Sequence, residues 1–202
     1  LKELGVDAVR VGDEAAYKLR APSREMKIRR LIHFACKQCL DIDGLGEAVA
    51  EQLVDLGLVD APVDALRLNR GEWMMVEGFK EKSVDNMLAG LAQAKQRELW
   101  RAIHALGIPN VGTQTAKDLA RHFKSLNALR DAKHEDYLTF LRYNKKTGEA
   151  VYEAIIEGIR ETIAGCILAY FNSPDHRDWV KIMGDAGLNI SETTAASTIT
   201  AL

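Results

Sequence analysis

Four short segments of the sequence have the residue types and spacing to present backbone N–H groups to an anion. We name them corner 1 to corner 4, at residues 42–46, 76–80, 108–112 and 156–160. In each, an apolar residue is followed two places later by Gly or Asn and then by a second apolar residue. Gly and Asn tolerate the positive φ of a tight turn. A helix that begins directly after such a turn exposes its first N–H groups at the positive end of its dipole, so each corner could bind a phosphate.

The residues that follow each corner indicate the helices that must position it. Six residues after the Gly or Asn stands a small or β-branched residue, and nine residues after it a large apolar one. A small residue lets two helices cross closely, and the large one packs between them. The agreement of four segments favours a repeated helix–hairpin–helix unit over isolated turns. The small and large residues are, in chain order, Ala50 and Leu53, Val84 and Met87, Ala116 and Leu119, and Ala164 and Ile167.

Backbone contacts with phosphate carry no base information. The corners therefore predict sequence-independent, salt-sensitive binding to double-stranded DNA along the minor groove. We assign no catalytic or metal-binding residue. The expected DNA contacts are Gly44, Leu45, Gly46, Gly78, Phe79, Lys80, Lys82, Asn110, Val111, Gly112, Thr113, Thr115, Lys117, Arg121, Gly158, Ile159 and Arg160.

The corners differ in charge. Corner 3 has no acidic residue from position 108 to 117, which makes it the best expected phosphate site. Corner 2 carries Lys80 and Lys82, and corner 4 carries Arg160 between two glutamates. Four acidic side chains surround corner 1, so it is left open whether corner 1 binds DNA or is mainly architectural. They are Asp41, Asp43, Glu47 and Glu51.

Composition describes an ordinary chain of one medium or two small domains. It has 202 residues, 47% apolar residues and a net charge of −2. The near-neutral total hides a basic stretch at 18–37 and an acidic one at 41–64. We expect no membrane segment and no secretory leader, and three cysteines fit a reducing cytoplasm. The start at Leu1 instead of Met predicts a piece of a longer protein.

The expected fold is mainly α, with three parts. Residues 1–24 predict a small β-hairpin, residues 25–188 a four-repeat helix–hairpin–helix domain, and the polar residues 189–202 a linker. The gap before corner 4 is longer than the others, and its residues 144–148 predict an inserted loop.

With these repeats in view, the chain resembles bacterial NAD-dependent DNA ligases over nearly its whole length. Residues 41–46, 77–83 and 105–112 resemble the first three hairpins of that family, and residues 169–172 and 186–189 its closing helices. The resemblance implies a helix–hairpin–helix domain that follows a zinc knuckle and precedes a BRCT domain, which is absent here.

The resemblance also implies partners and cofactors. The expected partners are nicked double-stranded DNA and the other domains of the same ligase, in the bacterial cytoplasm and associated with the nucleoid, with no membrane. In such an enzyme, which uses NAD and Mg²⁺ in replication and repair, a lysine elsewhere passes AMP to the 5′-phosphate. This chain lacks that lysine's domain, so we expect it to be inactive alone and to hold no cofactor.

The sequence departs from the family at the zinc knuckle. Residues 1–5, Leu19 and Arg24 stand where the family has its four cysteines, so zinc is predicted absent. We hypothesise that Leu1, Leu4 and Leu19 form an apolar cluster instead. Cys36 and Cys39, with His33, lack an evident fourth ligand. They are expected to be small buried thiols on a core helix, and Cys166 likewise.

Two alternatives remain open from the sequence. One is a helix–hairpin–helix module of a DNA-repair nuclease or accessory protein, which would use the same backbone contacts. The other is a protein-interaction scaffold with degenerate hairpins, which the acidic corner 1 and the missing zinc cysteines favour.

Overall fold

The computed structural model describes residues 22–192 in full and the backbone of residues 8–10 and 17–19. These two short segments form strands β1 (Ala8–Arg10) and β2 (Tyr17–Leu19), which pair antiparallel with Ala8 opposite Leu19. The predicted small β-hairpin is therefore confirmed. Its connecting residues, and the side chains of the hypothesised leucine cluster, lie outside the described part of the chain.

The rest of the described chain is mainly helical, as predicted. Two 3₁₀ segments, Pro62–Leu66 and His134–Asp136, lie among the helices. No helix of the described residues is long and apolar enough to cross a lipid bilayer. The helices are α1 (Arg24–Ala35), α2 (Glu47–Asp55), α3 (Arg70–Trp73), α4 (Glu81–Ala94), α5 (Leu99–Ala105), α6 (Thr113–Phe123), α7 (Leu126–Asp131), α8 (Glu161–Phe171) and α9 (Pro174–Asp185).

Helices α2, α4, α6 and α8 each begin directly after a corner. The four small residues on these helices are 0% exposed, which is what close crossing of two helices requires. The four large apolar residues three places further are also buried, and all eight belong to one continuous core. The small and the large residue of the repeated pattern therefore pack in the hydrophobic core after all four corners.

The fourth repeat differs from the expectation. A β-hairpin, β3 (Leu138–Tyr143) and β4 (Ala150–Ala154), stands before corner 4 where the first helix of a fourth unit was expected. The expected inserted loop, residues 144–148, is its turn, in which Gly148 has φ +74°. The residues of β3 are aromatic, β-branched or long and favour a strand. Four complete helix–hairpin–helix units are therefore not confirmed, although four corners are present.

The two neighbouring cysteines do not lie on a helix, which corrects the sequence interpretation. Helix α1 ends at Ala35, and Cys36 follows as its C-cap residue with extended backbone. Cys39 lies in the next turn and is fully buried. Its N–H donates to the Cys36 carbonyl at 2.9 Å, so the chain doubles back and Cys39 does not continue the helix.

Three residues of the expected linker are hydrogen-bonded to the domain. Asn189 N–H donates to the Lys95 carbonyl at 2.7 Å, and Leu126 N–H donates to the Ile190 carbonyl at 2.8 Å. Glu192 N–H donates to the Lys124 carbonyl. The division into three parts stays a prediction, because residues 193–202 lie outside the described chain.

We expect Gly78→Ser to lower the free energy of unfolding by about 1–2 kcal/mol, because Gly78 has φ +84° and a side chain there is strained. Gly112→Ser is the matched control, since Gly112 has φ −85° and open space around it. It should change stability by less than about 0.5 kcal/mol. Urea denaturation of both variants measures the difference, and equal losses would show that the corner does not depend on positive φ.

Candidate nucleic-acid interface

All four corners have the same backbone geometry. The third residue has positive φ in each: +83° at Gly44, +84° at Gly78, +63° at Asn110 and +80° at Gly158. The N–H of the fourth residue donates to the carbonyl of the first at 3.4, 3.1, 3.1 and 3.0 Å in chain order. The requirement for Gly or Asn at the third position follows from this turn.

The fifth residue of each corner is the N-cap of the following helix. Its φ is negative and its ψ extended, including at Lys80 (φ −133°) and Arg160 (φ −95°), where a side chain replaces glycine. No N-cap side chain accepts a hydrogen bond from helix α2, α4, α6 or α8. By contrast, Ser23, Asn69 and Ser125 cap α1, α3 and α7. The N–H groups in the first turn of these helices are therefore available for an external acceptor, although the N–H of the α4 N-cap residue, Lys80, already donates to Ser83 Oγ at 2.7 Å.

The corners are exposed at their tips and buried at their apolar residues. Gly44, Gly46, Gly78, Asn110, Gly112 and Gly158 are exposed. The side chains of Leu45, Val111 and Ile159 are buried, and Phe79 is half-buried and stacked on Trp73. These four residues, expected as DNA contacts, could therefore touch DNA mainly through their backbone.

Corners 1 and 2 pack on each other's helices. A Cβ atom at Gly44 would lie 3.3 Å from the Met87 methyl group on α4, and Glu77 N–H donates to Gln52 Oε1 on α2 at 2.6 Å. Corner 3 similarly contacts the helix that follows corner 4, because Asn110 Nδ2 donates to Cys166 Sγ on α8 at 3.3 Å. The corners are thus arranged as two pairs.

Three predicted cations at the corners are exposed and free of ion pairs with described residues: Lys80, Lys82 and Arg160. Lys117 on α6 is exposed and its Nζ lies 4.8 Å from the centre of the Trp100 ring. Arg121 pairs with Asp118 on its own helix, so its charge is partly neutralised. Thr113 and Thr115 are half-buried at the start of α6.

The acidic side chains of corner 1 stay at the surface. Asp43 and Glu47 are exposed, and Asp41 forms an ion pair with Arg97 at 2.6 Å. Only Asp41 of these three is neutralised by a described cation, so the negative potential predicted at corner 1 persists.

A basic cleft of about 540 Å³, which was not predicted from the sequence, lies beside corner 3. Arg29 and Arg30 of α1 line it together with Ile108, Pro109 and Val111 of the corner. These arginines belong to the basic stretch at 18–37, and this charge sorting was the only sequence signal for them. The fold thus brings cations from a remote segment next to the least acidic corner.

His176 also lines this cleft. Its ring stacks on Tyr170 with 3.8 Å between ring centres, and its Nδ1 is 2.9 Å from the Tyr170 carbonyl. Burial lowers the pKa of His176 from its usual value of 6.5. The ring is therefore held neutral in the folded chain at neutral pH.

Two histidines and a cysteine form a separate cluster where α1 meets α5. They are His33, Cys39 and His104. Burial raises the pKa of the Cys39 thiol and lowers that of His104. Cys36, Cys39 and His33 could be grouped from the sequence, but His104 could not, because it is remote along the chain.

Comparison with known proteins relates this geometry to characterised families. The family model described as a helix-hairpin-helix motif matches residues 101–142, which contain corner 3, most of α5, and all of α6 and α7. The chain is 39% identical over 176 residues to DNA ligase 1 of Opitutus terrae and 38% identical over 181 residues to a DNA ligase of Petrotoga mobilis. It is 33% identical over 190 residues to a DNA ligase of Halalkalibacterium halodurans.

These matches cover most of the chain and a small part of each relative. They include 87%, 89% and 94% of this chain but 24%, 25% and 26% of the three relatives in the same order. The chain therefore spans about a quarter of the length of the curated proteins it matches. The resemblance to bacterial DNA ligases is confirmed.

The buried neutral His176 predicts an acid sensitivity. Because its pKa is lower in the folded than in the unfolded chain, the unfolded chain binds the proton more readily. The free energy of unfolding should therefore fall as the pH drops from about 7.5 to about 5.5, below the unfolded pKa of about 6.5. Chemical denaturation at both pH values measures this fall.

His176→Phe is the informative variant for this prediction. It keeps a ring stacked on Tyr170 but cannot take up a proton, so its loss of stability over the same pH interval should be smaller. A loss as large as in the unaltered chain would show that His176 does not contribute.

Proposed function

Because the chain is homologous to about a quarter of the length of bacterial DNA ligases, we propose that it is the module of an NAD-dependent DNA ligase that binds the DNA duplex without sequence preference. The observation that carries this proposal is corner 3. It lies within the helix-hairpin-helix match, has no acid from residue 108 to 117, and leads into helix α6 without a capping side chain.

In this proposal, phosphate oxygens accept hydrogen bonds from the free N–H groups at the start of α6 and of the equivalent helices. The buried apolar residue of each corner fixes the turn. The N–H groups at the helix starts therefore already have their binding orientation in the DNA-free chain. Since the bonds come from the backbone and go to phosphates, the contacts are the same for every base sequence.

Exposed cations add a salt-sensitive attraction to these hydrogen bonds. Lys80, Lys82 and Arg160 at the corners, and Lys117 on α6, are proposed to neutralise phosphates. Arg29 and Arg30 join them beside corner 3. We propose that corner 3 contributes most, corners 2 and 4 less, and that corner 1 is mainly architectural because its acids repel phosphate.

The chemistry of nick sealing is proposed to belong to other parts of the ligase, which would use NAD and Mg²⁺ during replication and repair in the cytoplasm. This chain would help to close those parts around a nicked duplex. Incubated alone with NAD, Mg²⁺ and a nicked duplex, it should form no sealed product and no AMP adduct. Either product in a gel assay would contradict the proposed division of labour.

Lys82→Glu should weaken binding to a nicked duplex and reduce the slope of log affinity against log salt by about 1. The loss should be equal for duplexes of different sequence, because Lys82 is proposed to contact only phosphate. Lys117→Glu should act in the same way. Fluorescence anisotropy over a salt series measures both quantities.

Lys181→Glu is the matched control, since Lys181 is exposed on α9, a helix that follows no corner. It makes the same change in net charge and should cost less affinity. A loss confined to certain base sequences, or an equal loss for Lys181, would contradict backbone contacts at the corners. If the unaltered chain shows no salt-sensitive binding to the duplex, the protein-interaction scaffold is favoured instead.

A further inference from the structure

Three side chains with metal-binding atoms converge away from the corners. His33 comes from the last turn of α1, Cys39 from the turn that follows, and His104 from α5. Their nitrogen and sulfur atoms lie within 4.8 Å of one another. The centres of the two imidazole rings are 5.2 Å apart.

The spacing matches the edge of a tetrahedral zinc site. Zinc–sulfur bonds of about 2.3 Å and zinc–nitrogen bonds of about 2.0–2.1 Å, at a tetrahedral angle, separate sulfur from nitrogen by about 3.6 Å. The distance between Cys39 Sγ and His33 Nε2 is 3.6 Å. One ion could therefore bond to both atoms once the hydrogen bond between His33 Nε2 and the His104 carbonyl is broken.

His104 provides an independent indication of a ligand. It is 9% exposed, and both of its ring nitrogens are buried without a hydrogen-bond partner among the described residues. A buried polar group without a partner is costly and uncommon in folded proteins, and a bound ion would provide a partner for one of the two nitrogens.

The backbone already holds the cluster in place. Arg101 on α5 donates from Nη1 to the carbonyls of Lys37 and Cys39 at 2.8 and 3.1 Å. These bonds fasten the Cys39 turn to the helix that carries His104. The site is thus assembled by contacts that do not depend on a metal.

We propose that His33, Cys39 and His104 bind one Zn²⁺ ion, with water from the adjoining cleft as the fourth ligand. Imidazole and thiolate together select zinc over Mg²⁺ or Ca²⁺, and both histidines line that cleft. The thiol proton leaves to solvent as the zinc–sulfur bond forms. His33 Nε2 also lies 2.9 Å from the His104 carbonyl, so a metal bond at this nitrogen replaces that hydrogen bond.

This site is distinct from the zinc knuckle that residues 1–24 lack. It would link α1 to α5 and so tie the helices around corners 1 and 2 to those around corner 3. Zinc was predicted absent because the knuckle cysteines are replaced and because Cys36, Cys39 and His33 lack an evident fourth ligand along the sequence.

The test is metal binding by the 202-residue chain after dialysis against a chelator. Zn²⁺ should bind at one ion per chain, and Co²⁺ in its place should give a thiolate charge-transfer band in the ultraviolet. Cys39→Ser should abolish the band and weaken zinc binding by about 100-fold or more. His104→Asn should weaken it to a similar degree while leaving the Co²⁺–thiolate band in place at saturating metal.

Cys36→Ser is the matched control, because Cys36 is a half-buried thiol three residues earlier that is not in the cluster. It should keep both the band and the affinity. Circular dichroism of each metal-free variant confirms that the helices are retained. The proposal is overturned if no stoichiometric ion binds, or if binding survives Cys39→Ser, which would place the ion elsewhere in the chain.

Discussion

The positive φ at the third residue of each corner is the constraint on which the candidate interface depends. It reverses the chain within a few residues, so the next helix begins at an exposed tip while its small and large apolar residues reach the core. A residue with a β-carbon would resist this conformation, and Asn110 is the one place where a side chain is accepted. The same local geometry thus serves the packing of four helices and the exposure of their first N–H groups.

Charge is arranged around this backbone framework unevenly. A chain with a net charge of −2 is a poor candidate for DNA binding by its total alone. The fold separates the signs, since Arg29 and Arg30 lie beside corner 3 while the acids cluster at corner 1. The contacts of corners 1 and 2 with Met87 and Gln52 allow the acidic corner 1 to support the position of corner 2.

Local patterns carried most of what could be predicted from the sequence. The corners, their positive φ and the buried residues on the following helices depend on neighbours in the chain. The β3–β4 hairpin was missed because four corner matches favoured a helix before Ile156, although Phe140, Tyr143 and Tyr152 favour strands. The packing of residues 189–192 and the approach of His104 to Cys39 depend on contacts between remote segments, which composition and periodicity do not encode.

The most direct measurement is a titration of the ¹⁵N-labelled chain with a short nicked duplex at low salt, followed by amide chemical shifts. Phosphate binding at the corners should give the largest shifts at the N–H groups of Gly112, Thr113 and Gln114, with smaller ones at the starts of α4 and α8. The amides at the capped starts of α1 and α7 should change least. Shifts confined to those capped starts or to the β3–β4 hairpin would contradict phosphate binding at the corners.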